Sequence, residues 1–254
     1  MSEMSVAEGY TRIFGRPECL EGDKRWHYCP GCGHSIAHRL VAEAIDELGV
    51  ADSTIVVGSV GCSWNIWDYF QCDGINSLHG RAPAVATGIK LALPDRFVFT
   101  YQGDGDLAAI GMAETVHTAA RSINISVIFI NNAVYGMTGG QMAPTSVLGQ
   151  VTTTTGDGRD ARAAGFPIRV SEMLAVMEGP VYIERVALDT PANVRRAKRA
   201  IRKSFETQLA GKGFSLVEVL SPCPPGWNRE AAESRQWITE EMTKTFPLGV
   251  FKDL

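Results

Sequence analysis

Short apolar runs alternate along this chain with longer segments in which the apolar residues recur at the spacing of a helix. One such run, Thr54-Ile55-Val56-Val57, is β-branched and stops at Gly58, so it predicts a short buried strand. The other runs that predict strands are residues 97–101, 125–130, 181–186 and 215–220. Helical spacing is found in residues 35–48, 84–93, 107–121 and 191–210. The pattern therefore predicts strands and helices in alternation.

The predicted strands are mostly apolar and alternate with predicted helices. Strands of this kind are typical of an α/β fold in which a mostly parallel sheet is covered by helices on both faces. We assign residues 29–220 to this domain, with an N-terminal extension over 1–28 and a C-terminal tail over 221–254. Residues 138–165 are rich in Gly and Thr and predict a functional loop. In such sheets ligands bind at the carboxyl ends of the strands, so residues that follow strands are the first candidates for a site.

Composition narrows the classes of function. The 254 residues carry a formal net charge of -4 with acidic and basic residues interspersed, which does not favour binding to nucleic acid or anionic lipid. No apolar stretch approaches the ~18 residues of a membrane-spanning helix, and the first residues lack the basic and apolar regions of a signal peptide. We therefore expect a cytoplasmic protein without a membrane partner. In that compartment the six cysteines would be metal ligands or free thiols rather than disulfides.

Two polar motifs stand at the ends of consecutive predicted strands. Gly103-Asp104-Gly105 ends one strand and Asn131-Asn132 ends the next, with residues 106–130 between them. Glycines let backbone N–H groups approach phosphate oxygens, while a lone carboxylate and an amide oxygen suit Mg²⁺, which keeps phosphate and water as its other ligands. The alternative is that both motifs are ordinary turns between strands.

Together the two motifs resemble the thiamine-diphosphate motif, in which GDG is followed at this distance by NN. The resemblance implies that thiamine diphosphate binds here with Mg²⁺. It also implies that the side chains of Asp104 and Asn132 bind the metal, and that the backbone carbonyl of Val134 is the third protein ligand.

Four of the cysteines form a second pattern. Cys29-Pro30-Gly31-Cys32 is a CxxC motif before the first predicted helix, Cys62 follows the first strand, and Cys223 follows the last. A redox dithiol needs only the CxxC motif but usually lies in a thioredoxin-like context. A structural zinc site usually has two CxxC motifs, and a [4Fe–4S] cluster takes four thiolates, of which one is often remote. The spacing alone leaves zinc and the cluster open.

The order CPGCG, GCS, thiamine-diphosphate motif and late PC resembles the β subunit of the 2-oxoacid:ferredoxin oxidoreductases, over about residues 26–228. The resemblance implies a [4Fe–4S] cluster held by Cys29, Cys32, Cys62 and Cys223. Cys19 and Cys72 lie outside the pattern and are expected to be ordinary thiols. Further cofactor contacts are implied for Gly61, Cys62, Ser63, His79, Gly80, Gly103, Gly105 and Tyr135.

Other polar residues have a plainer interpretation. His79-Gly80-Arg81 could instead be a surface turn with a solvated arginine. His34, His38 and His117 fall on predicted helices and are expected to serve packing or solvent contact. The basic residues of segment 191–210 predict a solvated helix face, with docking of ferredoxin or another subunit as the alternative.

The resemblance also implies a reaction. Members of this family catalyse the oxidative decarboxylation of a 2-oxoacid with coenzyme A to an acyl-CoA and CO₂, and they pass the electrons through the cluster to ferredoxin. In this family the glutamate that activates the thiamine ring belongs to a partner α subunit, so no catalytic residue is assigned to this chain. Further γ and ferredoxin-like δ subunits are expected partners.

Within the family the chain is most similar to the branched-chain type, for which 2-oxoisovalerate is a substrate. Residues 135–141 and 149–155 carry this likeness, and Gly139 stands where 2-oxoglutarate-type members commonly have a lysine. Trp64 and Trp67 stand where a basic residue often follows the GCS segment. Bulky apolar side chains there would favour an uncharged substrate side chain. Pyruvate or 2-oxoglutarate, with specificity set by the partner subunit, is the alternative.

Two other classes of protein are consistent with parts of the pattern. A non-redox thiamine lyase or synthase would share the GDG and NN motifs, but it has no use for four ordered cysteines and usually carries both thiamine domains in a longer chain. A zinc-binding assembly protein without catalytic activity would use the cysteines alone.

Overall fold

The computed structural model of the chain describes residues 15–22 and 24–254. Over this part of the chain a seven-stranded sheet has the order β2-β1-β3-β4-β6-β5-β7. The strands are β1 Thr54–Gly58, β2 Asp73–Asn76, β3 Phe97–Gly103, β4 Ser126–Asn131, β5 Tyr182–Ala187, β6 Ser215–Leu220 and β7 Gly249–Asp253. Strands β1 to β6 pair in parallel, and β7 runs antiparallel to β5 at one edge. The predicted mostly parallel α/β fold is confirmed.

Helices connect the strands and cover both faces of the sheet. They are α1 His34–Leu48, α2 Ala82–Ala92, α3 Met112–Ala120, α4 Ala161–Ala164, α5 Val170–Ala175, α6 Pro191–Leu209, α7 Pro224–Trp227, α8 Ala231–Trp237 and α9 Thr243–Thr245. Short 3₁₀ turns lie at Ala51–Ser53 and Ile66–Tyr69, and wider π-type turns lie at Gly105–Ile110 and Ile238–Met242. None of these helices is both long enough and apolar enough to cross a bilayer, within the residues that the structure describes.

The core has two layers because successive side chains of a strand point to opposite faces. On β3, Phe97, Phe99 and Tyr101 pack under α1 and α6, whereas Val98 packs under α2, α3 and α5. The continuous apolar runs in the sequence follow from this burial on both sides. The carboxyl ends of the parallel strands are thereby fixed at one edge of the sheet.

Strand β2 and the C-terminal elements were not predicted from the sequence. Strand β2 reads Asp73-Gly74-Ile75-Asn76 and is largely exposed at the sheet edge, so it lacks the apolar signal of the other strands. Residues 221–254 were expected to form a tail, but they fold into α7, α8, α9 and strand β7, which completes the other edge. These elements are short, and a short mixed segment has no readable period. A small third core around Ile238, Met242 and Phe246 holds them on the domain.

Part of the expected N-terminal extension lies outside the described residues, namely 1–14 and 23. The described part packs against the domain: Cys19 and Leu20 are buried in the core under α1, and Leu20 forms a β-bridge with Phe70.

Candidate functional site

The GDG and NN motifs meet at the carboxyl edge of the sheet. Gly103 is the last residue of β3 and Asn131 is the last of β4, and the two strands pair with Gly103 opposite Ile130. This register places Asp104 beside the turn that begins at Asn131. The predicted metal ligands are therefore brought together by strand pairing, as parallel strands with adjacent ends require.

Asp104 is a buried carboxylate that faces neutral hydrogen-bond donors. Its Oδ1 accepts a bond of 2.8 Å from the Gly105 amide, and its Oδ2 accepts bonds from Thr145 Oγ1 at 2.8 Å and from the Val134 amide at 3.3 Å. Burial nevertheless raises the pKa of Asp104 to about 6, because these bonds only partly offset the loss of water. A bound divalent cation would stabilise the buried negative charge, so this carboxylate and its oxygen atoms fit the expected Mg²⁺.

The loop after β4 bends sharply at the other expected ligands. Ala133 has a φ of 56°, a left-handed conformation that is uncommon for residues other than glycine. The Asn132 side-chain oxygen accepts a bond of 3.3 Å from the Val134 amide, and Trp227 Nε1 donates to the Asn132 carbonyl at 2.8 Å. Asn132 and Val134 are buried, and both line the same cavity as Asp104.

This cavity has a volume of about 140 Å³ and opens to solvent at the strand ends. It brings together nine residues predicted from the sequence, which are Gly61, Cys62, His79, Gly103, Asp104, Gly105, Asn132, Val134 and Tyr135. Ser63 and Gly80 were also predicted, but they are not among the residues that line this cavity. Pockets that enclose a whole small-molecule ligand usually measure ~300 Å³ or more, so this cavity is large enough for only part of a cofactor.

Asp106 was not predicted from the sequence and organises the opposite wall. Its Oδ1 accepts bonds from Ser59 Oγ at 2.5 Å and from the Gly80 amide at 2.6 Å, and it lies 2.5 Å from His79 Nδ1. Its Oδ2 accepts a bond of 2.6 Å from Gln102. The carboxylate therefore fixes the His79 ring at the cavity wall.

His34 lines the cavity as well, although the sequence placed it among the packing histidines. The ring is buried on α1, and its Nδ1 lies 3.0 Å from the hydroxyl of the fully buried Tyr101. Burial lowers the pKa of His34 to about 3, so the imidazole is neutral near pH 7. Helical periodicity indicated that the side chain is buried, but it could not show that α1 begins beside the strand ends.

The four motif cysteines come from separate places in the sequence and share one neighbourhood. The Gly33 amide donates to the Pro222 carbonyl at 3.1 Å, which holds the CPGCG loop on the segment that carries Cys223. Cys62 lines the cavity and lies close enough to Cys29 and Asp104 for their charges to raise its pKa. Gly136, beyond the metal-binding turn, lies so near Cys223 that an added Cβ would be 3.0 Å from Sγ.

Burial governs the ionisation of these thiols. It raises the pKa of Cys32 and of Cys223 to about 12 and that of Cys62 to about 11. Neighbouring cysteines add to each shift, because a second thiolate nearby is repulsive. Without a bound cation these thiols therefore stay protonated near pH 7, which argues against a redox dithiol that works through a low-pKa thiolate.

No three His, Cys, Asp or Glu side chains in the described ranges 15–22 and 24–254 converge as the ligands of a single metal ion would. A tetrahedral zinc site needs such convergence, whereas in a [4Fe–4S] cluster each thiolate binds a different iron and the sulfurs stand further apart.

Cys19 and Cys72 lie together elsewhere in the fold. Cys19 is buried with its Sγ 3.4 Å from the Ala42 carbonyl, and Cys72 packs against the same core. Burial raises the pKa of Cys72 to about 12, with Asp73 adding to the shift. Their surroundings agree with the expectation of ordinary thiols.

Two further expectations are qualified by the structure. Trp64 is 51% exposed and Trp67 packs against the core under α1, so neither lines the cavity in this chain.

On α6, four basic side chains form ion pairs with acidic neighbours. The pairs are Arg196 with Glu184, Lys198 with Glu43 and Glu47, Arg202 with Glu47 and Glu206, and Lys203 with Asp253. This pairing reduces the positive field that a docking face would need.

The sequence of this chain is similar to a known protein family and to individual proteins of known name. The family model described as "Thiamine pyrophosphate enzyme, C-terminal TPP binding domain" matches residues 59–219. The ketoisovalerate oxidoreductase subunit VorA of Methanothermobacter thermautotrophicus is 50% identical over 227 residues, which cover 89% of this chain and 48% of that protein. The 2-oxoglutarate synthase subunit KorB of Methanocaldococcus jannaschii is 39% identical over 204 residues, covering 80% of this chain and 71% of that protein. The chain thus spans about half the length of the VorA relative.

A solved structure shares the fold over nearly the whole chain. It is a 2-oxoglutarate:ferredoxin oxidoreductase from Magnetococcus marinus with 2-oxoglutarate, coenzyme A and succinyl-CoA bound. The TM-score is 0.78 at 24% identity, and the match covers 98% of this chain and 89% of that one.

Proposed function

Since this chain belongs to the 2-oxoacid:ferredoxin oxidoreductase family and contains its thiamine diphosphate-binding domain, we propose that it is the β subunit of such an enzyme. The reaction is the oxidative decarboxylation of a 2-oxoacid with coenzyme A to an acyl-CoA and CO₂, with the electrons passed to ferredoxin. The observation that carries this proposal is that Asp104, the expected metal ligand, and Cys62, an expected cluster ligand, line one cavity.

The side chains of Asp104 and Asn132 and the carbonyl of Val134 are the proposed Mg²⁺ ligands. Cys29, Cys32, Cys62 and Cys223 are the proposed ligands of the [4Fe–4S] cluster. Thiamine diphosphate supplies the carbanion and electron sink that decarboxylation needs, and the cluster supplies a one-electron acceptor.

The chain's own residues prepare the cavity for these groups. Asp106 holds His79 in place, and Gly105 leaves room for the Tyr135 ring, which an added Cβ would approach to 2.1 Å. His34, neutral and bonded through Nδ1 to Tyr101, also lines the cavity. Cys62 lines the cavity, so a cluster held by its thiolate would lie beside the site of the thiamine cofactor.

A second subunit completes the site in this proposal. The relatives are named as subunits, so enzymes of this family are hetero-oligomers. The cavity is too small for the whole cofactor, and no glutamate stands among its described lining residues. Exposed apolar side chains occur at and beside its mouth, namely Val60 at 37%, Met137 at 50%, Ile110 at 49% and Leu78 at 80% exposure. Apolar surface of this kind is typical of an interface, and we assign it to the α subunit that supplies the activating glutamate. The γ and δ subunits and ferredoxin belong to the same proposal, and the location is the cytoplasm, where thiols stay reduced.

For the substrate we propose a branched-chain 2-oxoacid such as 2-oxoisovalerate. The ketoisovalerate relative is 50% identical to this chain, against 39% for the 2-oxoglutarate relative. The described cavity lining is apolar at Val60 and Met137 and presents no lysine or arginine. A second substrate carboxylate would therefore be buried without a cation from this chain, which costs several kcal/mol.

The proposal is tested with the assembled, anaerobically prepared complex. We expect CoA-dependent reduction of ferredoxin with 2-oxoisovalerate, at a higher kcat/KM than with pyruvate or 2-oxoglutarate. A clear preference for 2-oxoglutarate would overturn the substrate but not the reaction. A colourless protein that contains zinc and reduces no acceptor would overturn both.

A further inference from the structure

Both the nitrogen and the oxygen of the buried Asn131 side-chain amide form hydrogen bonds within the protein. Its Nδ2 donates to Glu218 Oε1 at 2.8 Å, and its Oδ1 accepts from the Ala133 amide at 3.1 Å. Asn131, Ala133 and Glu218 are all fully buried. One side chain thus links the end of β6 to the turn that follows β4.

That turn is strained, and Asn131 holds it from one side. Ala133 adopts a left-handed φ of 56°, which persists only where the surroundings determine it. On the other side, Ser146 Oγ and Gln150 Nε2 donate to the Ala133 carbonyl at 2.6 Å and 2.8 Å. The bend directs the next residue, Val134, and the preceding one, Asn132, into the cavity.

Glu218 is itself fixed by a buried network. Its Oε2 accepts a bond of 2.5 Å from Ser171 and lies 2.9 Å from Arg185 Nε in an ion pair. Arg185 is fully buried, bonds Glu172 with both terminal nitrogens, and lies against the Phe246 ring. One carboxylate oxygen of Glu218 therefore interacts with Arg185 and Ser171, and the other accepts the hydrogen bond from Asn131.

We propose that Asn131 is a positioning residue: oriented by Glu218, its amide fixes the left-handed turn that presents Asn132 and the Val134 carbonyl to the divalent cation. This inference rests on the proposed function, because it assumes that the cation binds at that turn. Partners that orient metal ligands commonly affect affinity by ~10–100-fold when removed. If Asn131 only satisfied a buried carboxylate, its loss would lower stability and leave metal affinity unchanged.

The test measures cation binding rather than turnover. Mn²⁺ replaces Mg²⁺ in the assembled complex with thiamine diphosphate present, and the free Mn²⁺ is quantified by its EPR signal. We expect Asn131→Ala to weaken Mn²⁺ binding by about 10-fold or more. The matched control is Ser171→Ala, which removes a donor to the same Glu218 carboxylate but does not touch the turn. It should lower the unfolding temperature and change Mn²⁺ affinity by less than about 2-fold.

A second set of variants remains informative if Asn131→Ala fails to fold. Glu218→Gln alone cannot accept from Asn131 and from Arg185 together, so it should also weaken Mn²⁺ binding. Adding Asn131→Asp to Glu218→Gln exchanges the carboxylate and the amide between the two positions, so size and total charge stay nearly unchanged. The amide at position 218 can then donate a hydrogen bond to the carboxylate at position 131. We expect this double variant to recover the affinity, and Asn131→Asp alone, with its two facing carboxylates, not to recover it.

Wild-type Mn²⁺ affinity in Asn131→Ala or Glu218→Gln would overturn the inference while leaving the proposed function intact. An equal loss of affinity in Ser171→Ala would overturn it too, since a general loosening of the fold would then be the cause. Absence of thiamine-dependent Mn²⁺ binding in the wild-type complex would instead contradict the proposed function itself.

Discussion

Cys62 and Asp104 line the same cavity at the carboxyl edge of the sheet, although each belongs to a different motif. Cys62 follows β1 and Asp104 follows β3, and these two strands are direct neighbours in the sheet. The charge of Asp104 is among the causes that raise the pKa of Cys62. The neighbouring strand ends therefore bring a proposed metal ligand and a proposed cluster ligand to one cavity.

Replacing Asp104 with Asn is expected to abolish retention of thiamine diphosphate while the fold stays intact. Mg²⁺ requires a hard anionic oxygen here, and the amide keeps the shape without the charge. Removing a residue that only orients a metal ligand commonly lowers metal affinity by ~10–100-fold. Because Asp104 is a proposed ligand itself, we expect cofactor affinity to fall by more than about 100-fold. Cofactor content after gel filtration measures the effect, with Asp95→Asn as control because Asp95 is exposed. Normal cofactor content in Asp104→Asn would remove Asp104 from the metal site.

Cys223 is expected to be required for the cluster, although it is remote from the other ligands in sequence. Four thiolates are needed, and the CPGCG loop is bonded to the segment before Cys223. We predict that Cys223→Ser lowers bound iron and alters the EPR signal of the reduced cluster. Cys72→Ser is the matched control, because Cys72 lies with Cys19 in another part of the core. If Cys72→Ser rather than Cys223→Ser lost iron, the ligand assignment would be wrong.

How far the sequence predicted this arrangement differs from one residue to another. The proximity of Asp104 and Asn132 was predictable, because each follows one of two neighbouring parallel strands. The grouping of the four cysteines was implied by the family resemblance and not by their spacing, since Cys223 is remote in sequence. Asp106 and His34 were not predictable, since their place beside the cavity depends on how α1 and the π-type turn meet the strand ends. Trp64 was assigned to the substrate from its position after Cys62, yet the chain turns there and leaves it exposed. In the fold, polar edge strand β2 and the short C-terminal elements lacked the periodicity that marked the rest.

His34 is expected to contribute to catalysis without holding either cofactor. Its ring lines the cavity and is neutral, so it can exchange hydrogen bonds with a bound substrate but carries no charge. We predict that His34→Phe lowers kcat/KM for the 2-oxoacid by about 10-fold or more, the range of a positioned polar group, while iron and thiamine contents stay normal. His38→Phe is the comparison, because His38 is buried against Phe70 and lies outside the cavity lining. Equal losses of activity in both variants would show that His34 acts only through packing.

His38 is expected to make the fold sensitive to acid. Burial lowers its pKa from 6.5 to about 3, so below pH 6.5 the unfolded chain binds a proton that the folded chain does not. The stability that the neutral ring contributes is thus complete above pH 6.5 and is lost as the pH falls towards 3. Relative to His38→Phe, the wild type should lose about 1.4 kcal/mol of unfolding free energy per pH unit in that window. Denaturant unfolding at pH 7.5 and 5.5 measures this difference, and a difference that does not change with pH would contradict it.

The most direct test of the proposed function follows the cluster's visible absorbance after anaerobic mixing of the assembled complex with 2-oxoisovalerate, before coenzyme A is added. We expect rapid partial bleaching that requires thiamine diphosphate and Mg²⁺. We also expect this rapid bleaching to be lost in the Asp104→Asn complex and in the Cys223→Ser complex. The Cys223→Ser complex keeps any clusters of the partner subunits, so the loss would be due to the cluster of this chain. Bleaching of normal rate and size in the Cys223→Ser complex, or a wild-type chain that binds zinc and no iron, would contradict the proposed function.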